Sequence, residues 1–108
     1  MITDDEIERV ITYLRDNAVK AAKCKAERLY LEDYCRVLKS NIMREHLSDS
    51  VAAQERDAYA DVRYSDHLLA LRAAIEEDEK MTYLRKVAEA KIEAWRTMCS
   101  NNRVSGKV

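Results

Sequence analysis

The stretch from Ile7 to Ile42, IERVITYLRDNAVKAAKCKAERLYLEDYCRVLKSNI, decides the fold. Apolar or small side chains recur along it in alternating steps of three and four residues, which is the spacing of a coiled-coil seam. Neither Pro nor Gly interrupts it, and the residues from Thr3 to Glu6 have the form of a helix capping box. The sequence therefore predicts one long helix from about Asp4 to His46. Its seam consists of Ile7, Val10, Leu14, Ala21, Cys24, Leu31, Cys35, Leu38 and Ile42, with polar interruptions at Asn17 and Arg28.

The chain is expected to reverse after this helix, because the segment from Leu47 to Ser50 holds residues that favour caps and turns. A short helix over about residues 51–60 follows, and Ser65 with Asp66 is predicted to cap a last long helix. The pattern at residues 61–64 leaves open whether they bend the chain or continue the helix. The predicted stripe of the last helix is Leu68, Leu71, Ile75, Asp78, Met81, Leu84, Ala88, Ile92, Trp95 and Cys99.

The distribution of charge favours an antiparallel pairing of the two long helices. Residues 45–79 carry an excess of acidic side chains, whereas residues 17–44 and 80–108 carry an excess of basic ones. A reversal near Ser48 sets opposite charges alongside each other, and like charges along a helix pair are unfavourable. We therefore predict an all-α fold, an antiparallel long-helix hairpin that is coiled-coil-like and has a short intervening helix. Residues 1–99 form its single domain, and residues 100–108, which lose the periodicity, form a frayed tail.

The composition points to the same class of protein. A chain of 108 residues with no Pro, one Gly and 36% charged residues suits long exposed helices and one small domain. Three cysteines without CxxC spacing, Cys24, Cys35 and Cys99, indicate neither a disulfide framework nor a zinc knuckle. The acidic N-terminus is unlike a secretory signal, and no apolar run is long enough to span a bilayer. A cytoplasmic protein that does not associate with membranes is the expectation.

The sequence contains no catalytic or metal-binding motif. His46 and His67 belong to no HExxH or HxxxH spacing, so ordinary helix positions are the favoured interpretation for both. The run from Glu76 to Glu79 cannot converge on one ion, because consecutive residues of a helix point to different faces. We therefore predict a protein that is not an enzyme and that uses no cofactor or metal.

Basic side chains alternate with tyrosines in the middle of the first helix. Phosphate contacts and aromatic stacking are the two components of sequence-tolerant single-strand binding. A formal net charge of −1 argues against a dedicated nucleic-acid binder, so both a nucleic-acid surface and an ordinary solvated helix face stay open. The candidate nucleic-acid-binding residues are Lys20, Lys23, Lys25, Arg28, Tyr30, Tyr34, Arg36 and Lys39.

A two-helix hairpin has a core only one side chain thick, so an apolar flank remains on each helix. Self-association would bury these flanks, and we predict a homo-oligomer with a further protein partner. The predicted oligomer interface consists of Ile11, Ala22, Leu29, Leu69 and Val87.

Two segments, AYADVRY at residues 58–64 and AKIEAWRT at residues 90–97 followed by Asn101, Asn102 and Arg103, resemble small helical proteins of temperate bacteriophages and prophages. Such proteins tend to be encoded among early genes for DNA recombination and replication. The resemblance implies a phage accessory protein that acts by binding, for example to a single-strand annealing or single-strand binding protein. The alternative is a phage inhibitor of a host defence complex, with the acidic residues 45–79 acting as a nucleic-acid mimic.

Overall fold

The structure is a computed structural model that describes residues 1–106, and helices are its only regular elements in that range. Helix α1 spans Asp4–Met43 and is followed by a 3₁₀ turn, Arg44–His46; α2 spans Val51–Ala60 and α3 spans Val62–Val104. The prediction of an all-α antiparallel long-helix hairpin with a short intervening helix is confirmed. None of the helices within residues 1–106 has an apolar stretch of the length that a bilayer crossing requires.

The chain is divided into two compact units. The first unit combines Met1–Ala22 with the part of the chain from Glu79 onward, and the second unit is Lys23–Asp78. In the first unit the indole Nε1 of Trp95 donates to Oδ1 of Asp4 at 3.0 Å. Since a residue near the start of α1 meets one near the end of α3, the two helices run antiparallel there.

The predicted seam of α1 is confirmed. All of its residues, including Asn17 and Arg28, are buried or half-buried. Ile7 is 4% exposed and Ile42 is fully buried, so the most enclosed seam positions lie toward the two ends of the helix. The predicted steps of three and four residues therefore describe the contact face of α1 along its whole length.

The predicted seam of α3 is partly wrong. Leu68, Ile75 and Leu84 are exposed at 45%, 36% and 41%, whereas His67 is 9% exposed and Ala74 is half-buried. The other seven predicted positions are buried or half-buried, so the error lies in the choice between neighbouring residues at 67/68 and 74/75 and in the inclusion of Leu84. The α3 seam consists of Tyr64, His67, Leu71, Ala74, Asp78, Met81, Ala88, Ile92, Trp95, Cys99 and Asn102.

The boundary between α2 and α3 lies at Asp61, so the predicted cap at Ser65 and Asp66 is wrong. Asp61 has extended backbone angles, φ −69° and ψ 137°, and its Oδ1 accepts the backbone N–H of Arg63 at 2.8 Å. That contact satisfies one of the donors that the first turn of a helix leaves unpaired. The hydroxyl of Ser65 instead donates to the carbonyl of Val62 within the helix.

Helix α1 begins at Asp4, as predicted, but its end differs from the prediction. At the start of α1, Oγ1 of Thr3 accepts the N–H of Glu6 at 3.2 Å, as the capping box requires. The regular helix ends at Met43 rather than His46, because its last turn tightens into the 3₁₀ turn.

Helix α3 continues past Cys99 to Val104, so the predicted frayed tail begins too early. Asn102 occupies the next seam position and is half-buried. Gly106, with φ of 73°, donates its N–H to the carbonyl of Arg103 and ends the helix in the left-handed conformation that Gly adopts without strain. The last two residues of the predicted tail, 107 and 108, lie outside the described residues.

Candidate functional site

Arg28, one of the predicted nucleic-acid-binding residues, forms ion pairs with carboxylates of the same chain in the second unit. Its Nε donates to Oδ2 of Asp78 at 2.5 Å, and its Nη1 donates to Oε1 of Glu32 at 2.9 Å. The Asp78 contact and, after it, the Glu32 contact raise the pKa of Arg28. Asp78 is 6% exposed, so the guanidinium neutralises a buried carboxylate and is not free to bind phosphate.

Lys39 also has partners within the chain. Its Nζ lies 3.3 Å from Oε1 of Glu55 in α2 and 4.7 Å from the centre of the Tyr59 ring. Contact with Tyr59 and then with Glu55 raises the pKa of Lys39. The ammonium therefore joins α1 to α2 through an ion pair and a cation–π contact.

Arg36 differs from Arg28 and Lys39, because it lies in solvent. Its guanidinium is 3.8 Å from Asp33, and both side chains are more than four-fifths exposed. Ion pairs of this kind contribute little to stability, so Arg36 can exchange Asp33 for another anion at low cost.

Lys20, Lys23 and Lys25 are exposed side chains of α1. With Ala21 and Cys24 at seam positions, the heptad register places Lys20 and Lys23 on one side of the helix and Lys25 on the other. Lys20 belongs to the first unit, whereas the other predicted nucleic-acid-binding residues belong to the second. Within the second unit, Lys23 and Lys25 lie on opposite sides of α1, so the seven predicted residues there do not form a single surface.

The two tyrosines of the predicted nucleic-acid surface stack on each other. The ring centres of Tyr30 and Tyr34 are 5.9 Å apart with an interplanar angle of 19°, and Tyr34 also packs against the ring of His67 at 5.4 Å. Nε2 of His67 lies 2.7 Å from the carbonyl oxygen of Leu31. Tyr34 is thus part of the helix contact, while Tyr30, which is 62% exposed, is the tyrosine that offers a stacking face.

All five residues of the predicted oligomer interface are exposed in the single chain. Ile11, Leu29, Leu69 and Val87 are 52%, 43%, 65% and 54% exposed, and Ala22 is also exposed. Helix α2 covers none of them. The heptad register, however, places Ile11 and Val87 on opposite sides of the helix pair in the first unit. The five residues therefore cannot all belong to one contact.

An open groove lies between α1 and α3 in the first unit, on the Val87 side. It has a volume of about 540 Å³. Tyr13 and Val10 are half-buried, whereas Leu84 and Val87 are 41% and 54% exposed, so water reaches the apolar floor of the groove. We call this feature the Val87 groove; it is lined by Glu6, Arg9, Val10, Tyr13, Leu84, Val87, Ala88 and Lys91.

A second cluster of polar side chains lies in the turn between α1 and α2. His46, Asp49 and Asp57 each offer one ligand atom, and the three atoms lie within 4.8 Å of one another. Nδ1 of His46 is 3.9 Å from Oδ2 of Asp49. We call these three residues the His46 cluster.

The His46 cluster is not apparent from the sequence alone. His46 and Asp49 are three residues apart, but Asp57 is on a different helix and joins them only because the chain reverses between α1 and α2. A search for His-containing motifs along one helix misses a set of this kind. The available signal was the position of His46 beside the predicted reversal at residues 47–50, with acidic residues on both sides of the turn.

Comparison of the chain with protein-family models, with curated protein sequences and with solved structures finds no significant match.

Proposed function

We propose that this chain is a non-enzymatic binding and assembly protein that works as a homo-oligomer. The observation that carries the proposal is the Val87 groove, whose apolar floor is open to water in the single chain. A two-helix hairpin leaves such a face because it has no third layer to cover it. Burial of the exposed surfaces of Leu84 and Val87 against another helix provides the driving force for association.

The occupant that best fits the groove is a second copy of the same chain. The rim of the groove carries both signs of charge. Glu6 and Arg9 lie on α1, and Lys91 lies on α3. In a two-fold symmetric contact the same residues meet from both sides. Glu6 of each copy can then face a basic side chain of the other, so the apolar contact is accompanied by complementary charges.

We place this assembly in the DNA metabolism of a temperate phage, in the cytoplasm of an infected or lysogenic bacterium. The support is the resemblance of residues 58–64 and 90–97 to small phage proteins, together with the exposed Lys20, Lys23 and Tyr30. The concrete role is that of an accessory protein for recombination or replication, which contacts a single-strand annealing or single-strand binding protein.

The oligomerisation is tested by sedimentation of the wild type and three variants at micromolar concentration. The wild type should be at least a dimer, and Val87→Glu should dissociate it, because a charge would then be buried in the contact. Ile11→Glu, on the opposite side of the pair, and Val19→Glu, at a position that is 67% exposed, are the matched controls. A monomeric wild type, or an oligomer that Val87→Glu leaves intact, contradicts the proposal.

The role in DNA metabolism is tested by isolating the tagged protein from infected cells and identifying what accompanies it. A recombination or single-strand binding protein supports the accessory role. A host defence complex, bound without affinity for DNA, instead supports the inhibitor hypothesis.

A further inference from the structure

We infer that His46, Asp49 and Asp57 form a binding site for one divalent transition-metal ion of the Zn²⁺ class. The site joins the end of α1, the reversal and α2, all within the second unit. It is independent of the Val87 groove, which lies in the first unit. Metal binding and self-association are therefore separately testable.

The chemistry of the donor set favours a transition metal over Mg²⁺ or Ca²⁺. One imidazole nitrogen and two carboxylate oxygens suit Zn²⁺ and its neighbours, whereas the hard cations prefer oxygen ligands alone. Three protein ligands leave at least one coordination position to water. We therefore expect a site of moderate affinity rather than a closed structural zinc centre.

The distances require only a small adjustment. Donor atoms about 2.1 Å from a tetrahedral ion lie about 3.4 Å from one another. The three donors are within 4.8 Å of one another, and Nδ1 of His46 is already 3.9 Å from Oδ2 of Asp49. Movements of about 1 Å in partly exposed side chains, through ordinary rotamer changes, close the remaining gap.

The backbone of the turn holds the three residues in place without a metal. The N–H of Asp49 donates to the carbonyl of His46 at 3.0 Å, and the amide Nε2 of Gln54 donates to the carbonyl of Asp49 at 3.0 Å. Gln54 is 9% exposed, so this second contact is protected from water. The hydroxyl of Ser50 caps α2 and fixes the orientation of the helix that carries Asp57.

The basic side chains near the His46 cluster do not neutralise its carboxylates strongly enough to exclude a metal ion. Arg63 is bound to Glu45 at 2.6 Å and to Asp61 at 3.0 Å. Arg56 touches one oxygen of Asp57 at 3.4 Å, but its side chain is 75% exposed and the contact is weak. An incoming divalent ion therefore displaces no strong ion pair.

The consequence of binding is a cross-link across the reversal. An ion held by His46 and Asp57 ties the last turn of the first long helix to α2. Since the folded chain presents the donors together and the unfolded chain does not, metal binding adds to the stability of the folded state.

The test uses Co²⁺ as a spectroscopic probe and Zn²⁺ as its competitor, with the whole reduced protein. The wild type should bind one Co²⁺ per chain, Zn²⁺ should displace it, and Zn²⁺ should raise Tm relative to the same protein in a chelator. His46→Ala and Asp57→Asn should each abolish the Co²⁺ spectrum and the Tm shift. Asp33→Asn, which changes an exposed carboxylate of α1, should retain both. Circular dichroism of each variant verifies that the helices are intact.

Three outcomes would overturn the inference. One is the absence of Co²⁺ and Zn²⁺ binding by the folded wild type. Another is binding that persists in His46→Ala or Asp57→Asn. The third is a thiolate-to-Co²⁺ charge-transfer band, because it would place the ion on the free thiols of Cys24, Cys35 or Cys99 instead.

Discussion

Arg28 of α1 and Asp78 of α3 form an ion pair on the contact face of the two helices in the second unit. Asp78 is 6% exposed, and the Arg28 side chain is 24% exposed. A charge at a seam position stabilises a pairing only in the register that supplies its partner. The pair therefore selects one alignment of α1 against α3 among those that the apolar seam alone would permit.

Replacement of Asp78 by Ala should destabilise the protein more than removal of an exposed carboxylate. The change leaves the guanidinium of Arg28 at the seam with Glu32 as its remaining partner. The loss of one member of a buried pair costs more than the pair itself contributes. Urea unfolding of Asp78→Ala and of the control Asp33→Ala measures the difference, and equal midpoints would contradict the role assigned to this pair.

The double variant Arg28→Leu with Asp78→Leu provides a complementary test. Replacement of both charges by apolar side chains should recover the stability lost in Asp78→Ala, because no buried charge is then left alone. We expect the register to be less well defined, with broader amide resonances than in the wild type. A double variant as unstable as Asp78→Ala would show that the apolar side chains do not pack in this position.

Ile42→Ala should lower the free energy of unfolding by about 2 to 5 kcal/mol, the range for truncation of a fully buried aliphatic side chain. Ile42 has no exposed surface, whereas Val19 on the same helix is 67% exposed. Val19→Ala should therefore leave stability within about 0.5 kcal/mol of the wild type. Denaturant unfolding followed by circular dichroism gives both values, and similar effects of the two changes would refute the core assignment.

The Tm of the protein should fall in acid, because a contact at the junction of α2 and α3 is lost there. The Arg63 side chain, and after it the Arg63 backbone N–H, lower the pKa of Asp61 from 3.8 to about 2. Since the pKa is depressed in the folded state, the stabilisation is complete above pH 4 and is lost as the pH falls toward 2. Asp61→Asn should lower Tm at pH 6, and its difference from the wild type should shrink below pH 4.

Asp66→Asn is the control for this experiment, because Asp66 is an exposed side chain of the same helix. Asp66→Asn should leave Tm at pH 6 close to the wild-type value, because a substitution of an exposed side chain changes stability little. If the two variants follow the same pH dependence, the assignment of the acid-sensitive step to Asp61 fails.

The lysines of α1 should separate into two classes. Lys20→Glu with Lys23→Glu should weaken binding of a single-stranded oligonucleotide and flatten its salt dependence, because fewer counterions are released, while Tm changes little. Lys39→Glu should lower Tm, because Lys39 is paired with Glu55 inside the chain. Titrations at several salt concentrations, together with thermal unfolding of the same variants, measure both effects.

Tyr30→Ala should reduce oligonucleotide affinity without changing the salt slope, since stacking releases no counterions. Tyr34→Ala should instead lower Tm, because Tyr34 packs against His67. If the wild type binds no oligonucleotide at low salt, the nucleic-acid hypothesis fails and recognition of a protein partner remains.

The sequence predicted the contact face of α1 because that information is local. Alternating steps of three and four residues, without Pro or Gly, define one face whatever the partner helix is. The reversal before Ser50 was predictable for the same reason, since Ser and Asp bond to their own backbone. The hydroxyl of Ser50 does accept the N–H of Ala53.

Two seam positions of α3, His67 and Ala74, could not be predicted from its own residues. Leu68 and Ile75 are better hydrophobes than His67 and Ala74, so a search for apolar side chains selects the wrong positions. The position of His67 in the seam depends on the partner helix, where the carbonyl of Leu31 and the ring of Tyr34 contact its imidazole. Local apolarity is therefore outweighed by contacts made across the hairpin.

The sequence by itself determined that this protein is an antiparallel pair of long helices, because helix propensity, seam spacing and charge segregation are all properties of the linear chain. Only the tertiary structure decided which side chains are brought together. Arg28 is paired with Asp78 inside the hairpin and is not free to bind phosphate, and His46 lies close to Asp57 across the reversal. Arg28 and Asp78 are 50 residues apart in sequence, and His46 and Asp57 lie on either side of the reversal. Both distances depend on the register and the turn geometry, which no local pattern specifies.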